Sequence, residues 1–143
     1  MAAPRRILVG VDGSAHSQNA LEWAAGLAGA TKGEVLVVHA LGLLTHLGSP
    51  PVTAPAQGHR QEVQALLEGE WCKSLRTSGV PYRCLLVDGN PTEALMVCAD
   101  AEGADLVVVG PRGTGGLPGL QLGSTSHQLV QLSKRPVAVV PGN

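Results

Sequence analysis

Five short apolar runs, each rich in valine and nearly continuous, constrain the fold of this chain of 143 residues more than any other feature. They are Ile7–Val11, Val35–Val38, Cys84–Val87, Leu106–Val109 and Val137–Val140. Strands with one face in water alternate apolar and polar residues, whereas continuous apolar runs are typical of strands buried on both faces. The runs therefore predict a parallel sheet that is covered by helices on both sides.

The segments between the runs carry helical spacing. After Ser14, an apolar stripe at intervals of three and four residues predicts a first helix. Its members are Ala20, Ala24, Leu27 and Ala28. The same spacing predicts a second helix, whose stripe consists of Val63, Leu66, Leu67, Trp71 and Leu75.

Two further helices are predicted from signals at their ends. Asn90 is a suitable N-cap before Pro91 at the first helical position, and Gly103 is a suitable end. A fourth helix is expected from about Ser124 to Lys134, before Pro136 prevents its continuation. Its inward side is predicted to carry Leu129, Val130 and Leu132.

Strands and helices thus alternate along one domain, residues 1–143, which predicts an α/β layered fold with right-handed crossovers. Residues 42–58 interrupt the alternation, because their glycines and prolines are typical of a long flexible loop. The second interruption is the glycine-rich stretch Gly110–Gly123.

Composition excludes several functions. The chain has 10 Lys and Arg against 11 Asp and Glu, so a broad basic surface for nucleic acid is not expected. No apolar stretch approaches the roughly 20 residues that span a bilayer. The cysteines Cys72, Cys84 and Cys98 are widely spaced and include no CxxC pair, which favours buried thiols over disulfides or zinc. We therefore expect a cytoplasmic protein that binds neither nucleic acid nor membrane.

Ligands of open α/β sheets bind beyond the carboxyl ends of the strands, where the strand order reverses. Asp12-Gly13-Ser14 follows the first run, and its carboxylate could accept a hydrogen bond from a ribose hydroxyl or an amine. Asp12 could equally be a plain turn residue. His39-Ala40 follows the second run.

The stretch richest in glycine follows the fourth apolar run. Six glycines lie among the fourteen positions of Gly110–Gly123, which suggests that backbone approaches a ligand closely. The stretch ends at a helix start, where free N–H groups favour an anion, and Ser124 and Thr125 add hydroxyl groups there. Arg112 adds a guanidinium suited to phosphate. These features predict a phosphate site, although the loop could be merely flexible and Ser124 merely an N-cap.

This stretch resembles the pattern G-x2-G-x9-G-[S/T] of the universal stress protein family. The fixed positions are occupied by Gly110, Gly113, Gly123 and Ser124. Three other segments agree with the family: Ile7–Ser14, His39-Ala40 and Arg135-Pro136-Val137. The resemblance covers nearly the whole chain.

The resemblance implies an ATP-binding member with an open five-stranded parallel sheet of order 3-2-1-4-5, as in Rossmann-like and adenine nucleotide alpha hydrolase-like folds. By position, Asp12 would meet the adenosine, and the backbone at Ala40 and Val109 would border the adenine. The phosphates would be bound by Gly110, Arg112, Gly113, Gly123, Ser124 and Thr125. Gly10 is also one of the cofactor-binding residues that the resemblance implies. It stands where some members have proline, while Ala40 replaces the usual valine.

The function implied is a nucleotide-sensing regulator of the stress response with little or no hydrolysis. The chain lacks the motif G-x4-G-K-[S/T], so no such lysine would contact the β- and γ-phosphates, although Mg²⁺ could accompany ATP. One alternative is a slow ATPase or nucleotidyl-transfer enzyme that uses Asp12 and Arg112. Another is a stress-linked dimer for which nucleotide is incidental.

Members of the family usually form dimers through the last strand, so the resemblance implies a homodimer through Val137–Val140. Without a partner, this strand would leave an apolar edge of the sheet open to solvent.

Overall fold

The computed structural model describes residues 3–41, 57–111 and 123–141 and contains a five-stranded parallel sheet. Its strands are β1 (Arg6–Gly10), β2 (Glu34–Ala40), β3 (Tyr82–Val87), β4 (Leu106–Val109) and β5 (Val137–Val139). The order is β3-β2-β1-β4-β5, and every pairing is parallel. The predicted strand order is confirmed.

Helices cover both faces of the sheet, as predicted. They are α1 (Ala15–Thr31), α2 (Gln57–Leu66), a π-helix (Leu67–Trp71), α3 (Lys73–Ser78), α4 (Pro91–Glu102) and α5 (Ser124–Leu132). One core cluster joins Ile7 and Val9 of β1 to α1, the π-helix and α3. The other joins Leu8 to Leu95 of α4 and Leu129 of α5. The two clusters explain the continuous valine runs, because both sides of the inner strands are buried.

Four strands differ from the predicted runs at one or both ends, and β4 alone has the predicted bounds. β2 extends to Ala40, so His39 and Ala40 lie within the strand rather than after it. β1 ends at Gly10, although the N–H of Val11 still donates to the carbonyl of Val38 at 2.9 Å. Pairing with β3 continues to Ala40, which explains the greater length of β2.

The helices α1 and α4 begin where predicted, whereas the N-cap of α5 is Gly123 and not Ser124. Ser14 accepts from the N–H of Ser17 at the start of α1. The side chain of Asn90 accepts from Thr92 and Glu93 at the start of α4, and Gly103 ends that helix with a φ of 65°. Local capping chemistry was therefore sufficient to place these ends.

Two predictions about the helices were wrong. The second predicted helix is α2, the π-helix and α3 in succession, and Leu66 is 42% exposed. In α5 only Leu129 of the predicted apolar side is buried, whereas Val130 and Leu132 are more than half exposed. Buried Ser126 and Leu129 form the inner stripe of α5, and Val130 lies about 100° around the helix from that stripe. Leu132 ends the helix, where the chain leaves towards β5.

The predicted loop over residues 42–58 lies largely outside the described residues, and its last two positions belong to α2. None of the described helices is both long and apolar enough to cross a membrane.

All three cysteines are free, and two of them lie together. The Sγ atoms of Cys72 and Cys84 are 3.2 Å apart. This hydrogen bond and burial raise the pKa of Cys72 well above its ordinary value. Only Cys72 is fully buried, since Cys84 and Cys98 are partly exposed. The expectation of three buried thiols thus holds for Cys72 alone.

Charged side chains link neighbouring strands at the end of the sheet where the strands begin. Arg6 pairs with Glu34 at 2.8 Å and also donates to the carbonyl of Glu102. Arg135 donates to the carbonyl of Ala104 at 2.6 Å and pairs with Asp100. These contacts link the starts of β1, β2, β4 and β5, so we refer to this region as the amino edge.

Asp105 at the amino edge accepts two hydrogen bonds that favour its ionised form. Its carboxylate accepts from the backbone N–H groups of Arg6 at 2.9 Å and Arg5 at 3.1 Å, which lowers its pKa below the ordinary 3.8. A lowered folded-state pKa stabilises the fold above the unfolded-state value, and this contribution is lost as pH falls through the folded-state pKa. We therefore expect Asp105→Asn to flatten the decline of the thermal unfolding midpoint below about pH 4. Equal declines for the variant and the wild type, followed by circular dichroism from pH 7 to 3, would contradict this.

Candidate functional site

The strand order reverses between β1 and β4, so the carboxyl ends of these two strands bound the candidate site. The chain leaves β1 through a tight turn in which the carboxylate of Asp12 accepts from the N–H of Ser14 at 2.9 Å. Gly13 has a φ of +84°, which glycine adopts without strain. Ser14 then caps α1, whose first turn contains no acidic residue.

The end of β4 lies directly against the first turn of α1. A methyl group added at Gly110 would lie 2.9 Å from Cβ of His16 and 3.0 Å from its carbonyl carbon. Glycine at this position therefore permits the close approach of the two elements. The Nδ1 atom of His16 is buried and has no hydrogen-bond partner among the described residues.

The two ends of the glycine-rich segment meet beside β4. The N–H of Gly123 donates to the carbonyl of Pro111 at 2.5 Å, and Ser126 Oγ donates to the same carbonyl at 2.8 Å. The first turn of α5 is thereby held next to the end of β4. Its Ser124 is exposed and its Thr125 partly buried, and no acidic residue lies in this turn. Because the first N–H groups of a helix lack intrahelical partners, this turn is suited to an anion.

The other predicted site residues fall into three groups. Val109 ends β4 and Ala40 ends β2, both at the carboxyl edge of the sheet. Gly10 ends β1, but a side chain there would meet Leu95 of α4 at 2.8 Å. Arg112 and Gly113 lie outside the described residues.

Trp71 was predicted only as a packing residue, yet it lies at the carboxyl edge. A methyl group at Gly13 would be 2.6 Å from Cζ2 of its indole. The indole also meets the ring of His39 edge to face, with 5.1 Å between the ring centroids. His39 Nδ1 lies 2.7 Å from the carbonyl of Val11, and since a carbonyl only accepts, Nδ1 carries the proton. Helical spacing could not have placed Trp71 here, because only the tertiary fold brings it to Gly13.

The described part of the chain holds no group of three or more His, Cys, Asp or Glu side chains that could bind a metal ion. The arrangement at the β1 and β4 ends is instead one carboxylate, that of Asp12, and two helix starts, those of α1 and α5. Chemically, such a set can accept hydrogen bonds from hydroxyl groups on one side and bind an anion on the other.

Comparison with known proteins gives a consistent result. The model of the universal stress protein family matches residues 4–141. A universal stress protein of Thermus aquaticus, encoded in the QAH/OAS sulfhydrylase 3' region, is 35% identical over 95% of this chain and 98% of its own length. The universal stress protein YxiE of Bacillus subtilis is 30% identical over 94% of this chain and 97% of its own.

Solved structures have the same architecture. A universal stress protein in complex with cAMP superposes with a TM-score of 0.75 at 27% identity. The match covers 97% of this chain and 98% of that structure.

Proposed function

This chain belongs to the universal stress protein family, and on that premise we propose that it binds an adenine nucleotide, ATP, between the ends of β1 and β4. The hydrogen bond from Gly123 to Pro111 carries this proposal. It holds the start of α5 beside β4, and the contact of Gly110 with His16 holds the start of α1 on the other side. The start of α5, whose first turn contains no acidic residue, thus lies at the same end of the sheet as the start of α1, and its N–H groups would stabilise a polyphosphate.

We assign roles within the site as follows. Asp12 accepts from the ribose hydroxyls, and the backbone at Ala40 and Val109 borders the adenine. Gly10 belongs to the binding site at the end of β1, where the absence of a side chain also permits close packing against Leu95. The phosphates are bound at Gly110, Gly123, Ser124 and Thr125, and by Arg112 and Gly113 on the strength of the sequence pattern.

The proposed role is a nucleotide-sensing regulator in the cytoplasmic stress response, with little or no hydrolysis. The relative bound to cAMP supports an adenine nucleotide as the ligand. Mg²⁺ would neutralise charge on the phosphates of bound ATP. The lack of a G-x4-G-K-[S/T] motif supports binding without rapid turnover.

The experiment is mass spectrometry of ligand released from the purified protein, followed by calorimetry with ATP, ADP, AMP and cAMP. Saturable binding of ATP together with phosphate release at the buffer background would support the proposal. Absence of binding for all four nucleotides would overturn it. Rapid release of phosphate or pyrophosphate would instead favour the enzymatic alternative.

We also propose a homodimer through β5, which forms one edge of the sheet. Val139→Lys places a charge on this apolar edge, so we expect light scattering to give the mass of a monomer. Val130→Lys, on the exposed side of α5, is the matched control and should leave the mass of the dimer unchanged. Val139 also packs against the second core cluster, so cooperative unfolding of the variant must be checked. An unchanged mass for a folded Val139→Lys variant would refute the interface.

A further inference from the structure

Of the tryptophan and tyrosine side chains of this chain, that of Trp71 lies at the carboxyl edge of the sheet. The chain has two tryptophans, one tyrosine and no phenylalanine. Trp23 is 44% exposed on α1, and Tyr82 begins β3 at the opposite edge. A large planar side chain at the ligand-binding edge is therefore supplied by Trp71 alone.

The indole of Trp71 lies between the ends of β1 and β2, where the adenosine of the nucleotide is expected. On one side it covers Gly13, the residue after Asp12. On the other it meets the ring of His39, the residue before Ala40, at an interplanar angle of 73°. It thus spans the space from the end of β1 to the end of β2.

The backbone holds Trp71 in this position. Trp71 is the last residue of the π-helix, and π-helical turns inside helices frequently occur at functional sites. The side chain of Gln18 in α1 donates to the carbonyl of Trp71 at 3.2 Å. Leu67 and Cys72 on either side are fully buried, whereas Trp71 itself is only partly buried. The indole is therefore both anchored and accessible.

We propose that Trp71 forms an aromatic wall of the base subsite and contacts the purine of the bound nucleotide. The inference rests on the proposed function, since it places the base beside Asp12 and Ala40. An indole and a purine are both planar π-systems, and contact between them excludes water from two apolar surfaces. Trp71 would then select for a base, whereas the helix starts bind phosphate.

Tryptophan fluorescence tests the contact directly. Trp23→Phe leaves Trp71 as the single tryptophan, and Trp71→Phe leaves Trp23 as the matched control. We expect AMP and ATP to change the emission of the Trp23→Phe variant by at least about a fifth and to leave that of Trp71→Phe unchanged, because base stacking reaches only Trp71. Ribose 5-phosphate, which lacks a base, should leave both unchanged.

Affinity provides the second readout. Calorimetry should show ATP binding weakened by about 5- to 50-fold in Trp71→Leu, which fills part of the volume without a π-face, and by less than about threefold in Trp71→Phe. Both variants must first unfold cooperatively, because Trp71 also packs against the first core cluster.

The outcomes separate this inference from the proposed function. If the wild type binds ATP while Trp71 emission and the affinity of Trp71→Leu stay unchanged, the inference is wrong and the proposed function stands. A Trp71 signal that ribose 5-phosphate reproduces also overturns it, because the base is then not what Trp71 senses. If the wild type binds no nucleotide, both fail.

Discussion

Gly33→Ala is expected to lower the free energy of unfolding by about 3–5 kcal/mol, more than the 1–3 kcal/mol typical of an overpacked side chain. Gly33 lies between the end of α1 and the start of β2, and its N–H donates to the carbonyl of Ala28 at 2.8 Å. A Cβ here would lie 2.0 Å from the carbonyl oxygen of Arg5. That oxygen is backbone and accepts from Glu34 at 2.7 Å, so it cannot move without disturbing the pairing of β1 with β2.

Denaturation in urea, followed by circular dichroism, measures this effect. Gly26→Ala is the matched control, because Gly26 is exposed within α1 and, apart from the backbone of α1 itself, no atom of the described residues comes near its missing Cβ. Alanine should stabilise the helix there by about 0.5–1 kcal/mol. If Gly33→Ala lay within about 1 kcal/mol of the wild type, the close approach of β1 to Gly33 would be disproved.

Asp12→Ala is expected to weaken ATP binding by about 10- to 100-fold. Hydrogen bonds to charged groups contribute about 1.5–3 kcal/mol, and the variant loses those proposed between the carboxylate and the ribose. It also loses the bond from the N–H of Ser14 at 2.9 Å, which orders the turn before α1. Calorimetry with ATP measures the change.

Asp100→Ala provides the control for this substitution. Asp100 is an exposed carboxylate that pairs with Arg135 at the amino edge, at the opposite end of the strands from the proposed site. Removing its carboxylate should leave ATP affinity within about twofold, because surface ion pairs contribute little and the amino edge is remote from the ends of β1 and β4. Equal affinities for Asp12→Ala and the wild type would remove Asp12 from the site.

The sheet could be predicted from sequence because its inner strands are buried on both faces. Val107 and Val108 pack on opposite sides, so the apolar run is continuous between Asp105 and Gly110. The helices were harder to predict where tertiary contacts override spacing. Leu66 and Leu67 are adjacent and both apolar, yet only Leu67 is buried, because neighbouring residues point about 100° apart around a helix.

The site was predictable to the extent that it depends on strand ends. The positions of Asp12 and Gly110 follow from two apolar runs and the order of the strands. Trp71 lies 58 positions after Gly13 in sequence, and no local pattern indicates their contact. Nor could local pattern show that a Cβ at Gly10 would meet Leu95, because the direction of a missing side chain depends on the pleat of the folded strand.

The charged contacts of the amino edge have a consequence for how this molecule can be altered. β1 rises about 3.3 Å per residue, so roughly 13 Å separates Arg6 from Gly10 at the opposite end. This distance exceeds the screening length of about 8 Å in physiological salt, and Arg6 is already neutralised by Glu34. Charge substitutions beside Arg6 should thus change the thermal unfolding midpoint without changing ligand affinity. Stability and ligand affinity are therefore separable targets for protein engineering.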